Sequence, residues 1–213
     1  MLSRIEPLRQ FPGYLPGILL IALHCFIPGN ALADEAILSN GAATEGNVML
    51  IGDKKQWDTL VGAEPISSAS GYLRIENDAE ERATKATWNG KGEAQFFIAH
   101  QNPADYSGHL DQESALVVLL RVEKKPKKKV QIRMGCGYPC ASSADITKLL
   151  KALPPGEWIR VSFDLKCFAE GGLNVKTVDT PMLITTRGEM SLSISDVGIV
   201  PGVGPEATIR CRE

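Results

Sequence analysis

Aromatic residues and histidines are scarce in this chain, and their scarcity narrows the chemistry that it can carry. Phenylalanine, tryptophan and tyrosine make up 6% of the 213 residues, and there are three histidines. A metal-dependent hydrolase needs histidines and carboxylates in a cluster. His100 and His109 instead stand nine positions apart around a loop, and the third histidine lies among the first 33 residues. The histidines therefore predict no catalytic metal.

Motifs for covalent catalysis are absent as well. The chain has no Gly-x-Ser-x-Gly elbow, which marks a serine hydrolase, and its cysteines lack the paired C-x2-C spacing of a zinc site. Glycoside hydrolysis needs two carboxylates about 5–9.5 Å apart. The acidic cluster from Glu76 to Glu81 could supply them, but Arg82 and Lys85 follow it, and such a mixture is typical of a solvated turn. We predict no catalytic residue and expect that the protein is not an enzyme.

An excess of positive charge is also missing. Lysine and arginine number 23 and aspartate and glutamate 25, for a net charge of −2, whereas a nucleic-acid-binding domain would show a basic excess. We therefore expect no nucleic-acid partner. The one basic run, Lys124 to Lys129, lies between two strand-like segments. It is typical of a solvated hairpin tip; the alternative is a patch for an anionic lipid or polysaccharide.

The chain has no apolar run long enough to cross a membrane as a helix. Its N-terminus has Arg4 and Arg9, then about ten apolar residues over 18–27, then small residues at 31–33. A helix that spans a membrane needs roughly 20 apolar residues, and this run is too short. The pattern therefore predicts a cleaved signal peptide over residues 1–33. We therefore expect a periplasmic or secreted protein with no stable membrane insertion after cleavage. Residues 34–46 are small and polar and predict a flexible leader.

Cysteine is sparse but even in number beyond the predicted signal. Four cysteines remain there, namely Cys136, Cys140, Cys167 and Cys211. In an oxidising compartment an even count indicates disulfides, and four cysteines allow three pairings. We expect Cys136–Cys140 and Cys167–Cys211, with the other two pairings left open.

The remaining chain alternates apolar and polar residues, which is the pattern of half-buried strands. The clearest stretch runs from Ile159 to Leu165, and two segments, 96–98 and 116–120, are apolar throughout. One short helix is predicted from a cap at Ser143 to the stop at 154–156. A single helix cannot cover a sheet on both sides. The sequence therefore predicts an all-β antiparallel β-sandwich of jelly-roll type over residues 47–203, with a C-terminal tail at 204–213.

Few residues could contact a ligand in such a sandwich. Aromatic rings bind sugars by presenting an apolar face to the pyranose ring. The candidate ligand-binding residues are Trp57, Trp88, Tyr106, Tyr138 and Trp158. Asp196 is a weak candidate for a structural calcium, since calcium takes six to eight oxygens and only one carboxylate is evident. We expect no cofactor.

Five segments together resemble a known family. They are Trp88 to Phe97 (WNGKGEAQFF), Arg133 to Cys140 (RMGCGYPC), Leu153 to Trp158 (LPPGEW), Leu165 to Phe168 (LKCF) and Val178 to Pro181 (VDTP). In this order they resemble the ExoP-type, galactose-binding-like C-terminal domain of the exo-β-glucosidases, or glucan glucohydrolases, of glycoside hydrolase family 3. The resemblance covers roughly residues 71–201 and is carried chiefly by the cysteine segment.

The resemblance implies an accessory β-sandwich, because in that family the catalytic carboxylates lie in upstream domains. We therefore expect an exported, non-catalytic, carbohydrate-binding module whose ligand is a β-glucan or an envelope glycan. One alternative is a structural or protein-interaction module that associates with a separate periplasmic glycoside hydrolase. The least favoured of these functions is that of a minimal glycosidase. The sequence leaves open which glycan binds, the oligomeric state and whether a partner supplies catalysis.

Overall fold

The computed structural model describes residues 35–210, which form two antiparallel sheets packed face to face. The eight-stranded sheet contains β1 (Glu35–Ser39), β2 (Ala42–Ala43), β5 (Ile66–Ser67), β6 (Leu73–Asp78), β7 (Ala83–Asn89), β9 (Ala115–Lys124), β12 (Trp158–Asp164) and β14 (Glu189–Val200). The six-stranded sheet contains β3 (Asn47–Asp53), β4 (Gln56–Leu60), β8 (Ala94–His100), β10 (Val130–Gly135), β11 (Ala141–Asp145) and β13 (Thr180–Thr186). The predicted antiparallel sandwich is confirmed.

The order of the strands follows from their pairing. The first sheet runs β12-β9-β14-β7-β6-β5, and β1 pairs with the second half of β14, beyond the part that pairs with β7. The second sheet runs β11-β10-β13-β8-β3-β4. The apolar segment 116–120 lies in β9, between two other strands, as predicted for a central strand. Neighbouring strands in both sheets run antiparallel to each other.

Alternation along each strand decides which side chains enter the core. In β10, Val130, Ile132 and Met134 are buried against the opposite sheet, whereas Gln131 is half-buried and Arg133 is exposed. The same period holds in β8 and β13, so each sheet contributes one apolar face to a shared core. The other face of the six-stranded sheet is left to solvent or to a ligand.

The predicted flexible leader at 34–46 is wrong. Residues 35–39 form β1 and pair with β14, and both Ile37 and Leu38 are buried. The pairing shifts register between Ala36 and Leu38, and such a bulge lets two successive side chains turn inward. Gly41, in the turn between β1 and β2, has a φ of +75° and lies so close to the backbone of Ala83 that a Cβ would not fit.

The predicted C-terminal tail is also part of the sandwich as far as the structure describes it. The backbone of Ile209 exchanges hydrogen bonds with the edge strand β12, donating to Ser162 at 3.0 Å and accepting from Asp164 at 3.1 Å. Ala207 packs on Ala115 and Val117 of β9. The segment therefore covers a sheet edge and an apolar patch that would otherwise meet water.

Within residues 35–210, three short α-helices replace the single predicted one. They are α1 (Ser107–Asp111), α2 (Thr147–Ala152) and α3 (Leu165–Glu170). α2 ends where predicted but begins later than expected. Ser143 lies in β11, and the Asp145 carboxylate accepts from the Thr147 backbone amide at 2.9 Å. α3 was missed because its first residue continues the alternation of β12. None of the helices within residues 35–210 is long and apolar enough to cross a membrane.

A buried carboxylate joins the two sheets at one end of the sandwich. Asp53 ends β3 and is inaccessible to solvent, and its oxygens accept from the backbone amides of Lys55 (2.9 Å) and Ser70 (2.6 Å) and from the Ser70 hydroxyl (3.1 Å). Burial alone would raise the pKa of this carboxyl, but hydrogen bonds from Ser68, Lys55 and Ser70 lower it to about 2. Asp53 therefore fixes the turn that leads into β4 against the β5–β6 loop of the other sheet.

A second polar cluster holds the start of β1. The His100 ring lies between Asn47 Oδ1 (2.6 Å from Nδ1) and the Tyr106 hydroxyl (2.7 Å from Nε2). Glu35 lies within 3.4 Å of that hydroxyl and 3.5 Å of His109. Burial lowers the pKa of His100, although the charges of Glu35 and Asp179 act in the opposite direction. The neutral imidazole is therefore favoured in the folded protein.

Replacing Asp53 with alanine should lower the free energy of unfolding by about 2–4 kcal/mol, because three donors lose a charged acceptor in a buried position. Asp58→Ala is the matched control, since Asp58 is exposed on β4 and has no hydrogen bond or ion pair in the part of the chain that the structure describes. Urea unfolding followed by circular dichroism measures both. Equal stability of the two variants would show that Asp53 does not join the sheets.

The His100 cluster should make stability depend on pH. The pKa of His100 is lower in the folded state than its ordinary value of 6.5, so the unfolded chain binds a proton first as the pH falls. The contribution of His100 is thus complete above pH 6.5 and is lost as the pH falls below that value toward the folded pKa. Unfolding curves from pH 7.5 to 5 should show a smaller decline for His100→Gln than for the wild type. The same decline in both proteins would rule out His100 as its source.

Candidate functional site

The outer face of the six-stranded sheet carries a row of four apolar side chains and one arginine that the core does not use. Strand register places Arg133, Leu183, Phe97, Leu50 and Leu60 side by side, one from each of β10, β13, β8, β3 and β4. All five point away from the core, and Leu60 is 59% exposed. A groove of about 520 Å³ lies over part of this face, with Phe97 and Leu183 in its lining.

One wall of the groove is Trp57 on the edge strand β4. Its side chain is 48% exposed, and its carbonyl oxygen accepts from Nε2 of Gln95 at 3.2 Å. Gly52 of β3 packs directly under the Trp57 backbone, where a Cβ would lie 2.2 Å from the Trp57 carbonyl oxygen. The missing side chain at 52 therefore lets the segment that carries Trp57 lie close to the sheet.

The opposite wall is the loop closed by the Cys136–Cys140 disulfide. Cys136 donates its amide to the Cys140 carbonyl at 3.0 Å, the Cys136 sulfur accepts from the Asn174 amide at 3.2 Å, and the Tyr138–Pro139 peptide bond is cis. Tyr138 at the tip of the loop is fully exposed and lines the groove. The disulfide loop thus presents an aromatic ring across the groove from Trp57.

The predicted cysteine pairing is confirmed in one half. Cys136–Cys140 is present, and Cys167 is also disulfide-bonded. Cys211 lies outside the described residues, so the Cys167–Cys211 pairing stays a prediction.

Polar side chains complete the groove lining. Arg133 is exposed, and its side chain forms no hydrogen bond or ion pair within residues 35–210. Asp179 lies at the disulfide-loop end, where its amide donates to Gly135 at 3.1 Å and its carbonyl accepts from His100 at 2.8 Å. Glu93 lies at the other end and pairs with Arg187 at 2.7 Å. The groove therefore combines aromatic rings with free donors and acceptors, a combination suited to binding a ligand with apolar faces and many hydroxyl groups.

Trp88 and Tyr106 are not part of this groove, and their prediction as ligand-binding residues must be corrected. Trp88 is 1% exposed, lies between the sheets, and donates its indole N–H to the Ala94 carbonyl at 3.0 Å. Tyr106 is equally buried in the His100 cluster, and burial raises the pKa of its hydroxyl. Both rings fill the core: Trp88 lies on the inward face of β7, and Tyr106, which directly precedes α1, packs against His100.

Trp158 lies on the opposite side of the molecule from Trp57. It begins β12 on the outer face of the eight-stranded sheet, where the Arg121 guanidinium lies 4.8 Å from its ring centroid. Its indole nitrogen lies 3.4 Å from Glu81, which also forms an ion pair with Arg121 at 3.1 Å. Its ring is therefore engaged within the protein and separate from the groove.

The acidic candidates have structural partners. Glu76 pairs with Arg74 at 3.1 Å, and the Asp78 carboxylate accepts from the Glu81 amide at 3.0 Å. Asp196, the weak calcium candidate, accepts from the Asn40 amide at 3.3 Å and the Ser195 hydroxyl at 2.6 Å, so hydrogen-bond donors contact both of its oxygens. Within residues 35–210 no group of three or more histidine, cysteine, aspartate or glutamate side chains could hold a metal ion.

A second cleft, of about 630 Å³, lies between α3 and residues 204–210. Its charged lining includes Glu113, Asp164, Glu170 and Arg210, and no aromatic side chain of the described residues lines it. One of its lining residues, Arg210, is the last residue that the structure describes. We therefore assign the candidate site to the groove, although its volume is somewhat smaller.

Sequence reasoning found Trp57 and Tyr138 but missed Arg133, Asp179, Phe97 and Leu183. Arg133 and Asp179 lie within segments that carry the family resemblance. Phe97 and Leu183 face outward, but each has apolar residues on both sides in the sequence, so no alternation marks them as outward-facing. The sequence also does not show that their strands are neighbours, and that pairing is what assembles the row.

Comparisons with known proteins agree with this architecture. The chain matches the ExoP C-terminal family, described as galactose-binding domain-like, over residues 48–199. Among solved structures it is similar to the exo-1,3/1,4-β-glucanase ExoP of a Pseudoalteromonas species, with 14% identity and a TM-score of 0.67, over 84% of this chain and 21% of that one. The chain therefore spans about a fifth of that enzyme's length. No curated protein matches significantly.

Two isolated domains are similar over most of their own length. The extra C-terminal domain of the same glucanase matches with a TM-score of 0.64 and 14% identity, over 78% of this chain and 92% of the domain. A family 30 carbohydrate-binding module from a cellulosomal cellulase of Clostridium thermocellum matches with a TM-score of 0.56 and 12% identity, over 78% of this chain and 96% of the module. Identities this low show a shared fold. Together with the match over residues 48–199, they show that the chain belongs to the galactose-binding domain-like family of ExoP C-terminal domains.

Proposed function

We propose that this protein is an exported, non-catalytic module that binds a β-glucan or an envelope glycan in the groove of the six-stranded sheet. The observation that carries the proposal is the pair of exposed rings, Trp57 and Tyr138, on opposite walls of a groove of about 520 Å³. Sugar rings have apolar faces that pack on aromatic rings, and their hydroxyls pair with polar side chains. Arg133 and Asp179 supply such polar groups between and beside the two rings.

The walls are held in place before any ligand arrives. Trp57 is fixed by the Gln95 hydrogen bond and by its close approach to Gly52. Tyr138 is carried on a five-residue loop closed by a disulfide. Preorganised walls reduce the entropy that is lost when a ligand binds. This rigidity supports the proposal that the groove is a binding surface.

Further observations support the proposal that the protein is exported and that it is not a catalyst. The solved structures that the chain resembles include a domain described as extra to a glucanase and a module described as carbohydrate-binding. Two carboxylates of the acidic cluster, Glu76 and Glu81, form ion pairs with Arg74 and Arg121. A disulfide suits an oxidising compartment, in agreement with the signal peptide predicted over residues 1–33.

Trp57→Ala should weaken binding of a soluble β-glucan about tenfold, because one aromatic stacking surface is lost. Trp158→Ala is the matched control, since it removes the same residue type from the opposite sheet and should leave affinity unchanged. Titration calorimetry with mixed-linkage and β-1,3-glucan oligosaccharides measures both, with melting temperatures recorded to confirm folding. No saccharide binding at millimolar concentrations, or equal losses in both variants, would contradict the proposal.

Replacing both Cys136 and Cys140 with serine should also weaken glucan binding, because the loop that presents Tyr138 loses its closure. The variant avoids chemical reduction, which would act on the Cys167 disulfide as well. We expect the affinity to fall by about the same factor as in Tyr138→Ala. Adding Tyr138→Ala to the double serine variant should reduce the affinity little further. Full wild-type affinity in the folded serine variant would exclude a role of the loop.

A glycoside hydrolase partner is the alternative outcome of these experiments. The chain is similar to one domain of a much longer glucanase, so a protein surface could occupy the groove in place of a sugar. Capture of a purified glycoside hydrolase that is lost in Trp57→Ala, combined with no saccharide binding, would favour this alternative.

A further inference from the structure

One end of the sandwich concentrates positive charge, and the strand register brings that charge together. The β9–β10 loop, which connects the two sheets, the helix α2 and the β13–β14 turn all lie at this end, because Lys124 pairs with Ser191 and Val130 pairs with Thr186. We call it the basic end. Its cationic residues are Lys124, Lys125, Lys127, Lys128, Lys129, Lys148, Lys151 and Arg187.

Hydrogen bonds hold these segments to one another. Lys125 donates from Nζ to the Lys151 carbonyl at 2.7 Å, which joins the β9–β10 loop to α2. Lys127 donates its amide to the Glu189 carbonyl at 3.1 Å, and the Thr186 hydroxyl donates to the Lys129 carbonyl at 2.8 Å. The predicted hairpin is wrong, because β9 and β10 belong to different sheets. The lysines of the run are solvent-exposed, as predicted, and their loop is anchored to α2 and to the β13–β14 turn.

The charge of the basic end is largely uncompensated. Four acidic residues accompany its eight cations, namely Glu93, Asp145, Glu157 and Glu189, whereas the whole chain has more acidic than basic residues, 25 against 23. Lys124 and Lys127 both form ion pairs with Glu189, and Arg187 forms an ion pair with Glu93. Hydrogen bonds from Lys124 and then Lys127 lower the pKa of Glu189 to about 2. The other five lysines have no carboxylate within 4 Å in the described part of the chain.

The groove opens toward this end. Glu93 lines the groove, and its partner Arg187 belongs to the basic end. Along β10, Arg133 in the groove is four residues from Lys129, a separation of roughly 13 Å in an extended strand. A polymer seated between Trp57 and Tyr138 could therefore extend over the free lysines without leaving the face of the protein.

We infer that the basic end binds the acidic groups of a polysaccharide whose chain continues into the groove, so that the ligand is a carboxylated or sulfated glycan. This inference rests on the proposed function and specifies its ligand class. An anionic membrane is the less favoured occupant, because none of the large hydrophobic side chains exposed on residues 35–210 (Trp57, Leu60 and Tyr138) lies at the basic end. Stable attachment of a protein surface to a bilayer usually adds apolar contact to charge.

The test compares two variants that change the net charge by the same amount. The first carries Lys125→Glu, Lys128→Glu and Lys129→Glu at the basic end. The matched control carries Arg160→Glu, Lys166→Glu and Lys176→Glu, which are exposed positions on other parts of the surface. Each protein is titrated with polygalacturonate, alginate and a neutral β-glucan at 50 and 300 mM NaCl, and Trp57→Ala is titrated in parallel.

We expect the basic-end variant to lose about tenfold or more in affinity for the acidic polysaccharides at 50 mM NaCl. Its affinity for neutral glucan should match the wild type, and the control should bind both ligands normally. Salt should weaken wild-type binding of the acidic ligands, since exposed charges are screened, and Trp57→Ala should weaken binding of both ligand classes.

Two results separate failure of this inference from failure of the proposed function. Neutral glucan binding that depends on Trp57, with acidic-polysaccharide binding equal in both charge variants, would overturn the inference alone. No Trp57-dependent binding of any glycan would overturn both. Tighter binding to vesicles of phosphatidylglycerol and phosphatidylcholine than to either acidic polysaccharide would also overturn the inference, in favour of a membrane.

Discussion

The burial of one face of each sheet against the other is the constraint on which the rest of this structure depends. Because side chains alternate along a strand, the residues that fill the core leave every second position on the outer face. In the six-stranded sheet, Phe96 and Ile98 fill the core while Phe97 between them faces outward. Core packing therefore explains half of each strand, and the apolar side chains of the other half need a different explanation.

The groove is that explanation for the outer face of the six-stranded sheet. Its walls come from an edge strand and from a loop, and both depend on interactions near the sheet margins. Asp53 fixes the turn that begins β4, which carries Trp57. The disulfide fixes the loop that carries Tyr138. The outer face of the sheet, whose inner face forms the core, is thus the floor of the site. Local polar and covalent contacts hold the walls in place.

Much of the sandwich could be predicted from sequence because period-two alternation records burial directly. The alternating stretch from Ile159 to Leu165 predicts β12 in this way, and the segment 116–120, which is apolar throughout, predicts the central strand β9. Alternation failed where geometry was irregular. At β1 a bulge turns both Ile37 and Leu38 inward, so the pattern is broken within five residues. At α3, Leu165 prolongs the alternation of β12, although the Asp164 side chain has already accepted the Lys166 amide as a helix cap.

The site was less predictable than the fold. Composition identifies aromatic residues, but only the paired strands show which face each ring occupies. Trp57, Trp88 and Trp158 look alike in the sequence, and the structure places them in the groove, in the core and on the opposite sheet. Arg133 and Asp179 join the site through contacts between β10 and the start of β13 that no local pattern records.

These three environments give the most direct test of the central claim, that the groove is the glycan-binding surface. Each of the chain's three tryptophans contributes one indole N–H signal to a proton–nitrogen correlation spectrum, and single substitutions assign the signals. Titration with a soluble β-glucan should shift the Trp57 signal in a saturable way and leave those of Trp88 and Trp158 in place. A saturable shift of the Trp158 signal with Trp57 unmoved, or no shift of any signal, would contradict the account.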